Sequence, residues 1–210
     1  MAIVLHYHPF SRAANVVWML EEIGVPYELK FVDLMAGAHK QPEILKLNPM
    51  GKLPILEDGE ALVTESAAIA IYLGDRYSSG KLAPKLDDPK RGTYLRWSFF
   101  SPSVVEPGLM AKAAKWEFRA SAAGWGNYDD MIAAMTSAIA GRDYILGSQF
   151  SMADCVFGGL ITFMLQFRML EPTPLFAAYS ERCKSRPAYQ RAQEINGGVI
   201  KERGLKMPGG

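Results

Sequence analysis

Asn48-Pro49-Met50-Gly51-Lys52-Leu53-Pro54-Ile55-Leu56-Glu57-Asp58-Gly59 is the stretch around which the chain is organised, and it continues through Glu60 to Glu65-Ser66-Ala67-Ala68-Ile69 and on to Tyr72. Asn48-Pro49 and Gly51 are turn formers. Leu53-Pro54-Ile55-Leu56 is an apolar run long enough for one strand. Asp58-Gly59 is a hairpin dipeptide from which Leu62-Val63 returns as a second strand. Thr64-Glu65-Ser66 then opens a helical pattern. Strand, turn, strand and helix thus follow one another within about thirty residues. Pro54 heads the first strand, where it cannot donate a ladder hydrogen bond. Only about 5–6% of X-Pro bonds in folded proteins are cis, so composition alone makes Pro54 trans.

Upstream, Ile3-Val4-Leu5 reads as a buried strand and His6-Tyr7-His8-Pro9 leads out of it. Pro9-Phe10-Ser11 is a loop. From Ser11 the apolar residues Val16, Val17, Leu20 and Ile23 recur at helical spacing, Glu21-Glu22 stay polar, and Gly24 with Pro26 ends the helix. Tyr27 to Leu34 alternates as a second strand. This βαβ unit predicts two parallel strands with a right-handed crossover. A looser region, 35–47, carries His39-Lys40 and a short helix at Glu43–Leu47. The hairpin strands are expected at Pro54–Leu56 and Ala61–Val63, and the next helix ends near Arg76.

Ser78-Ser79-Gly80-Lys81-Leu82-Ala83-Pro84 breaks the composition and marks a boundary. Beyond Pro89 the pattern is helical: Lys90–Phe118 with breaks at Pro102, Pro107 and Gly108, then Ala120–Gly141, Ala153–Met169, Pro174–Ser185 and Pro187–Glu194. From Gly197 the chain reads as a surface tail. Cys155 to Leu165 is apolar all round and is expected to be a central helix. Ser151-Met152-Ala153-Asp154 ahead of it is an N-capping arrangement, because hydroxyl and carboxylate can accept the orphan N–H groups of a first turn. The methionines of this half (Met110, Met131, Met135, Met164, Met169) suit an adaptable apolar surface or core filler.

At 210 residues, 49% hydrophobic and 21% charged, the sequence has material for one large or two modest domains. The net charge of +1 gives no electrostatic case for nucleic acid or an anionic membrane. The first residues lack the pattern of a signal peptide, and no apolar run is long enough to cross a bilayer. Two cysteines, Cys155 and Cys183, make neither a disulfide framework nor a metal set, which fits reduced thiols in a cytoplasmic protein.

Asn-Pro-Met-Gly-Lys-Leu-Pro, then Asp-Gly, then Glu-Ser with an apolar helix behind it, resembles the glutathione S-transferases. The Ser-x-x-Asp box is similar to that of the family's helical second domain. The resemblance implies a thioredoxin-like α/β domain with a four-stranded mixed sheet (βαβ-ββα) over residues 1–77. A linker at 78–88 and an all-helical domain at 89–210 would follow. It implies that Leu53-Pro54 is cis, with the Leu53 backbone facing the cysteinyl part of glutathione. Glu65 and Ser66 would hold the γ-glutamyl end, Ser66 with help from helix N–H groups. Lys52, His39 and Lys40 would lie toward the glycyl carboxylate. The implied activity is conjugation of glutathione to an electrophile, in a cytoplasmic, detoxifying homodimer that uses no metal.

Such an enzyme must hold a thiolate, although a free thiol titrates near about 8.5. A hydroxyl donor and the positive end of a helix, placed where sulfur sits, both lower that value. His-Pro-Phe-Ser is similar to the serine-type, phi- or theta-like pattern, which selects Ser11 as the thiolate donor; Ser11 is equally suited to N-capping. Tyr7 is the alternative, as other classes use a tyrosine near the end of the first strand, but its place on the strand favours packing. His6 and His8 are expected to line the loop or be solvated. The loop has no cysteine, which argues against cysteine-type members. Asn15 stands where many serine-type members carry arginine, and Arg12 is in a different phase. Phe10, Leu34, Met35, Phe99, Met110 and Trp116 are candidates for an apolar co-substrate pocket between the halves. The alternatives left open are a glutathione-dependent disulfide reductase or peroxidase, and a non-catalytic glutathione-binding module.

Overall fold

In the computed structural model, residues 2–206 are described, and the chain divides into two compact units. The first comprises residues up to Tyr77 together with those from Arg186 onward; the second is Ser78–Ser185.

The first unit holds a four-stranded sheet in the order β2-β1-β3-β4. Its strands are β1 (Ile3–Tyr7), β2 (Tyr27–Phe31), β3 (Ile55–Asp58) and β4 (Ala61–Thr64). β1 and β2 run parallel, and β1–β3 and β3–β4 are antiparallel, so the sheet is mixed. The first helix, α1 (Ala13–Ile23), connects β1 to β2, and α2 (Pro42–Leu47) and α3 (Ser66–Tyr77) follow. The βαβ-ββα order expected from the pattern is present. β2 is shorter than expected, ending at Phe31. β1 is longer, because His6 and Tyr7 still pair with Lys30 and Phe31. Leu5, Val16, Val17, Leu20, Ile55, Ile69 and Leu73 have no exposed surface and form the core of this unit. Gly24 ends α1 at φ 68°, its N–H bonded to Leu20 O.

The hairpin is tied to α3 through Asp58, which accepts from the hydroxyls of Tyr72 (2.8 Å) and Tyr77 (2.6 Å) and pairs with Arg76 Nε at 3.0 Å. Burial pulls its carboxyl upward. The Tyr77 and Tyr72 hydrogen bonds and the Arg76 charge outweigh that and leave it below the ordinary carboxylate range.

The second unit contains α4 (Arg91–Phe100), α5 (Glu106–Ala113), α6 (Tyr128–Ile139), α7 (Met152–Gln166) and α8 (Pro174–Lys184). α4 passes into α5 through a π-helical turn, Ser101–Val105, in which Glu106 N–H bonds back to Ser101 O. Pro102 has no N–H to give Ser98 O, and the wider turn absorbs the missing bond. The helix expected to run to Phe118 ends at Ala113, where Lys115 turns left-handed (φ 53°) and the Trp116 N–H bonds back to Ala111 O. The one expected from Ala120 starts at Tyr128 instead, because Gly124 and Gly126 (φ 67°) open the chain and Asn127 Oδ1 caps the Asp130 N–H at 2.8 Å. α7 is the buried central helix. Gly158 lets α8 approach it: a Cβ there would lie 2.7 Å from Cys183 Sγ. Met131, Met135 and Met164 are core filler, whereas Met110 is 54% exposed. The segment expected as a linker, 78–88, is bonded into this unit: Leu82 O accepts Met152 N–H and Lys81 O accepts Gln149 Nε2.

The observed unit thus takes in the segment expected as a linker and stops before the last helix, which the expected span 89–210 included. The last helix, α9 (Pro187–Glu202), belongs to the first unit and packs along α1. Arg186 grips Glu22 with two bonds of 2.5 and 2.7 Å, and Arg191 Nε reaches Glu21 at 2.7 Å. Tyr189 meets the Trp18 ring edge-on at 5.1 Å. The chain from Gly197 was expected to be a tail, yet helix continues to Glu202. Each interior glycine costs about 1 kcal/mol of helix propensity, and these tertiary contacts offset that cost. The expected tail beyond residue 206 lies outside the described residues. Among the described residues no helix is long and apolar enough to cross a membrane.

Candidate functional site

The strand register gathers the predicted residues of the first unit at one end of the sheet. His6 of β1 and Thr64 of β4 both pair with Ile55, the first residue of β3. The Leu53-Pro54 peptide thus enters β3 between the exit of β1, which leads to Ser11, and the exit of β4, which leads to Glu65-Ser66. Leu53-Pro54 is cis, as the family resemblance implies and composition alone does not.

Ser11 sits half-buried ahead of α1. Its hydroxyl donates to His8 O at 2.8 Å and its Oγ accepts the Ala13 N–H at 3.1 Å. The same oxygen thus satisfies an N–H at the start of α1. α1 has no acidic residue in its first turn, so nothing there cancels the positive end of its dipole. Tyr7 is placed differently. It has no exposed surface, its hydroxyl donates to Asn196 Oδ1 of α9 at 2.6 Å, and burial drives its titration upward.

His6 and His8, expected to be lining or solvated, are both buried. His6 Nε2 meets Glu57 Oε1 at 2.5 Å. His8 lies between the rings of Phe10 and Phe31, with centroids at 5.5 and 5.3 Å, and its Nδ1 accepts the Phe10 N–H at 3.1 Å. His6 is buried because β1 is an inner strand of the sheet with buried residues on both faces, and His8, one residue past its end, is covered by the rings of Phe10 and Phe31.

Glu65 is exposed and left-handed at φ 67°, and its carbonyl accepts the Ile69 N–H at the start of α3. A non-glycine residue held there costs on the order of 1–3 kcal/mol, a pattern that concentrates at ligand sites. Ser66 is the first residue of α3 and half-buried.

His39 and Lys40 lie in a 3-10 turn, Ala38–Lys40, packed against the 48–52 loop. Lys40 Nζ donates to Met50 O at 2.8 Å, and a Cβ on Gly51 (φ 58°) would come within 2.6 Å of His39 O. Only glycine fits that contact. Asn48 completes the loop, accepting Met50 N–H and donating Nδ2 to Lys52 O. Lys52 is exposed and contiguous with the cis peptide, and His39 Nδ1 is buried without a partner. Of the apolar candidates, Phe10, Leu34 and Met35 belong to the first unit, and Phe99, Met110 and Trp116 to the second. Met35 is 57% exposed and Met110 and Trp116 each 54%. Among the described residues no group of three or more His, Cys, Asp or Glu gathers as a metal set.

Asn196 was not singled out from sequence. It links the Tyr7 hydroxyl to Ala14 O, in the first turn of α1. An asparagine beside two glycines reads as a turn, and no local signal reveals a partner on β1.

The geometry agrees with comparisons to known proteins. The family profile described as glutathione S-transferase, N-terminal domain, matches residues 2–75, and that for the C-terminal domain matches 119–182. The chain is similar to a glutathione S-transferase of Hypomyces subiculosus, 30% identical over 73% of this chain and 78% of that one. It is 38% identical to glutathione S-transferase 3 of Schizosaccharomyces pombe over 52% of this chain, a match that spans only 45% of the relative's length. Among solved structures, a theta-class glutathione S-transferase of Xanthomonas axonopodis pv. citri, with glutathione bound, superposes with a TM-score of 0.73 at 29% identity, covering 91% of this chain and 96% of that one. The chain belongs to the glutathione S-transferase family.

Proposed function

We propose that the chain is a glutathione transferase that binds the tripeptide at the end of the sheet and transfers its sulfur to an apolar electrophile. The observation that carries this reading is the placement of a serine hydroxyl, at an uncompensated helix N-terminus, at the same sheet end as the Leu53-Pro54 peptide and the Glu65-Ser66 pair. The backbone of Leu53 would pair with the cysteinyl residue. Glu65 would accept from the γ-glutamyl amine, and Ser66 with the first N–H groups of α3 would receive the neighbouring carboxylate. Lys52, His39 and Lys40 would serve the glycyl end, which carries the second carboxylate. Phe10, Met35, Met110 and Trp116 are proposed to contact the co-substrate. A cytoplasmic homodimer is proposed with it.

Catalysis on this reading is nucleophile activation and positioning. The Ser11 hydroxyl turns from His8 O to donate to sulfur, favouring the thiolate over the thiol. The thiolate then forms the carbon–sulfur bond as the electrophile accepts the electron pair. Both cysteines are fully buried in α7 and α8, which disfavours a route through a mixed disulfide with the protein.

Ultraviolet titration of bound glutathione tests the reading. Ser11→Ala is expected to raise the thiol's titration midpoint and reduce kcat, while glutathione affinity below that midpoint, where the thiol is neutral, falls by no more than about five-fold, the worth of one uncharged hydrogen bond of about 1 kcal/mol. An unchanged midpoint removes Ser11 from the mechanism.

A further inference from the structure

We propose that His8 is a positioning residue for Ser11: its carbonyl oxygen and its Nδ1 together fix the turn from which that hydroxyl is presented. The proposal rests on the reading of Ser11 given above. Between β1 and α1 the chain reverses in the space of Pro9, Phe10 and Ser11, and three of the bonds that shape this reversal end on His8. The carbonyl accepts the Ser11 N–H at 3.0 Å and the Ser11 hydroxyl at 2.8 Å, and Nδ1 accepts the Phe10 N–H at 3.1 Å.

The imidazole is held for one of its two nitrogens. Because Nδ1 accepts, the ring proton sits on Nε2, which is buried and finds no partner. A ring fully enclosed with an unsatisfied N–H is a poor core residue; an aliphatic side chain of similar size would fill the same space without the orphan donor. The gain that sets against this loss is the Phe10 N–H, which has no helical or strand partner of its own. Burial lowers the His8 titration, with Asp33 opposing it, so the ring is neutral near pH 7 and Nδ1 remains an acceptor. Pro9, buried beside it, has no N–H to offer the turn. His8 therefore sets where Ser11 stands, and its carbonyl accepts the hydroxyl's hydrogen bond until the sulfur replaces it as acceptor.

Two variants separate this role from plain packing. His8→Leu fills the core but removes the Nδ1 acceptor. His8→Asn places Oδ1 near the same point and restores it. For His8→Leu we expect unimpaired folding, amide exchange of Phe10 faster by about five-fold or more, and a raised thiol midpoint. Its kcat falls about ten-fold, on the scale of a small misplacement of a catalytic group. His8→Asn returns the Phe10 exchange and the midpoint toward wild type despite being the worse core residue. A packing role predicts the reverse order, with leucine tolerated and asparagine damaging. Phe10 exchange and midpoint unchanged in His8→Leu, or changed alike in both variants, overturn the proposal. Ser11→Ala measured alongside keeps the two readings distinct. If that variant leaves the midpoint unmoved, the role of Ser11 falls, and Phe10 and Ser11 amide exchange in the His8 variants still decides whether His8 holds the turn.

Discussion

The Tyr7 hydroxyl donates to Asn196 Oδ1 at 2.6 Å across 189 positions of chain, and the same amide donates to Ala14 O at 3.3 Å. One side chain of α9 thereby joins the end of β1 to the first turn of α1. These are the two elements that flank the Ser11 loop. Tyr7→Phe leaves a buried amide oxygen unpaired, at a cost of about 1–3 kcal/mol. Chemical denaturation should register that loss, while the titration midpoint of bound glutathione should stay where it is in the parent protein. A midpoint that rises in Tyr7→Phe as far as in Ser11→Ala would return the tyrosine to the mechanism.

Glu65 separates stability from binding. Its left-handed backbone (φ 67°) is strained for any residue with a Cβ, and its exposed carboxylate makes no hydrogen bond or ion pair with the described residues. Glu65→Ala keeps the strain and Glu65→Gly relieves it, so glycine should be the more stable of the pair by about 1 kcal/mol. Both lose the carboxylate, and a hydrogen bond to a charged group is worth about 1.5–3 kcal/mol. Glutathione affinity should therefore fall about ten- to a hundred-fold in either variant. Calorimetry that finds glycine and alanine equally stable would show that the backbone relaxes; undiminished affinity would free Glu65 from the γ-glutamyl end.

What could be read from the chain follows from how local each signal is. The hairpin turned on Asp58-Gly59, the helix after Glu65 and the cap at Ser151 each announce themselves within a few residues, and each is found. The cis state of Leu53-Pro54 has no local signal and came only from likeness to a family. The burial of His6 depends on β1 being an inner strand and that of His8 on the rings of Phe10 and Phe31 closing over it, both properties of the finished fold. The docking of α9 depends on Glu21 and Glu22, whose polarity reads as solvent exposure. Their cations, Arg191 and Arg186, lie 170 and 164 positions away. Charge pairing at that range leaves no periodicity to detect, so the sequence offers no sign that the last helix packs along α1.

The Glu22–Arg186 pair is the stronger of those two anchors, since Glu22 is 5% exposed and also accepts the Trp18 indole N–H at 2.8 Å. Removing one partner strands a buried charge, at a cost of about 3–5 kcal/mol, whereas replacing both with apolar groups costs far less. Arg186→Met should therefore destabilise the protein sharply, and Glu22→Met added to it should recover much of the loss. The double-mutant cycle in urea reads this directly. Additive losses would mean that the two side chains do not depend on one another.

Asp154 gives the fold a pH dependence of predictable sign. It has no exposed surface, and burial raises its carboxyl to about 6 against four opposing donors: the Ile145 N–H, the Tyr179 hydroxyl, and the Ser151 hydroxyl and N–H. In the unfolded chain the same group titrates near about 3.9. Between those values the folded protein holds a proton that the unfolded chain has released. Stability from this group is therefore complete below about pH 4, falls as pH rises toward 6, and is flat above. Asp154→Asn cannot titrate and loses that slope, whatever its absolute stability. Urea unfolding of both proteins from pH 4 to 7 should show their difference shrinking by about 1–3 kcal/mol across the window. Curves that run parallel throughout would mean that the four donors hold the carboxylate at its ordinary value inside the core.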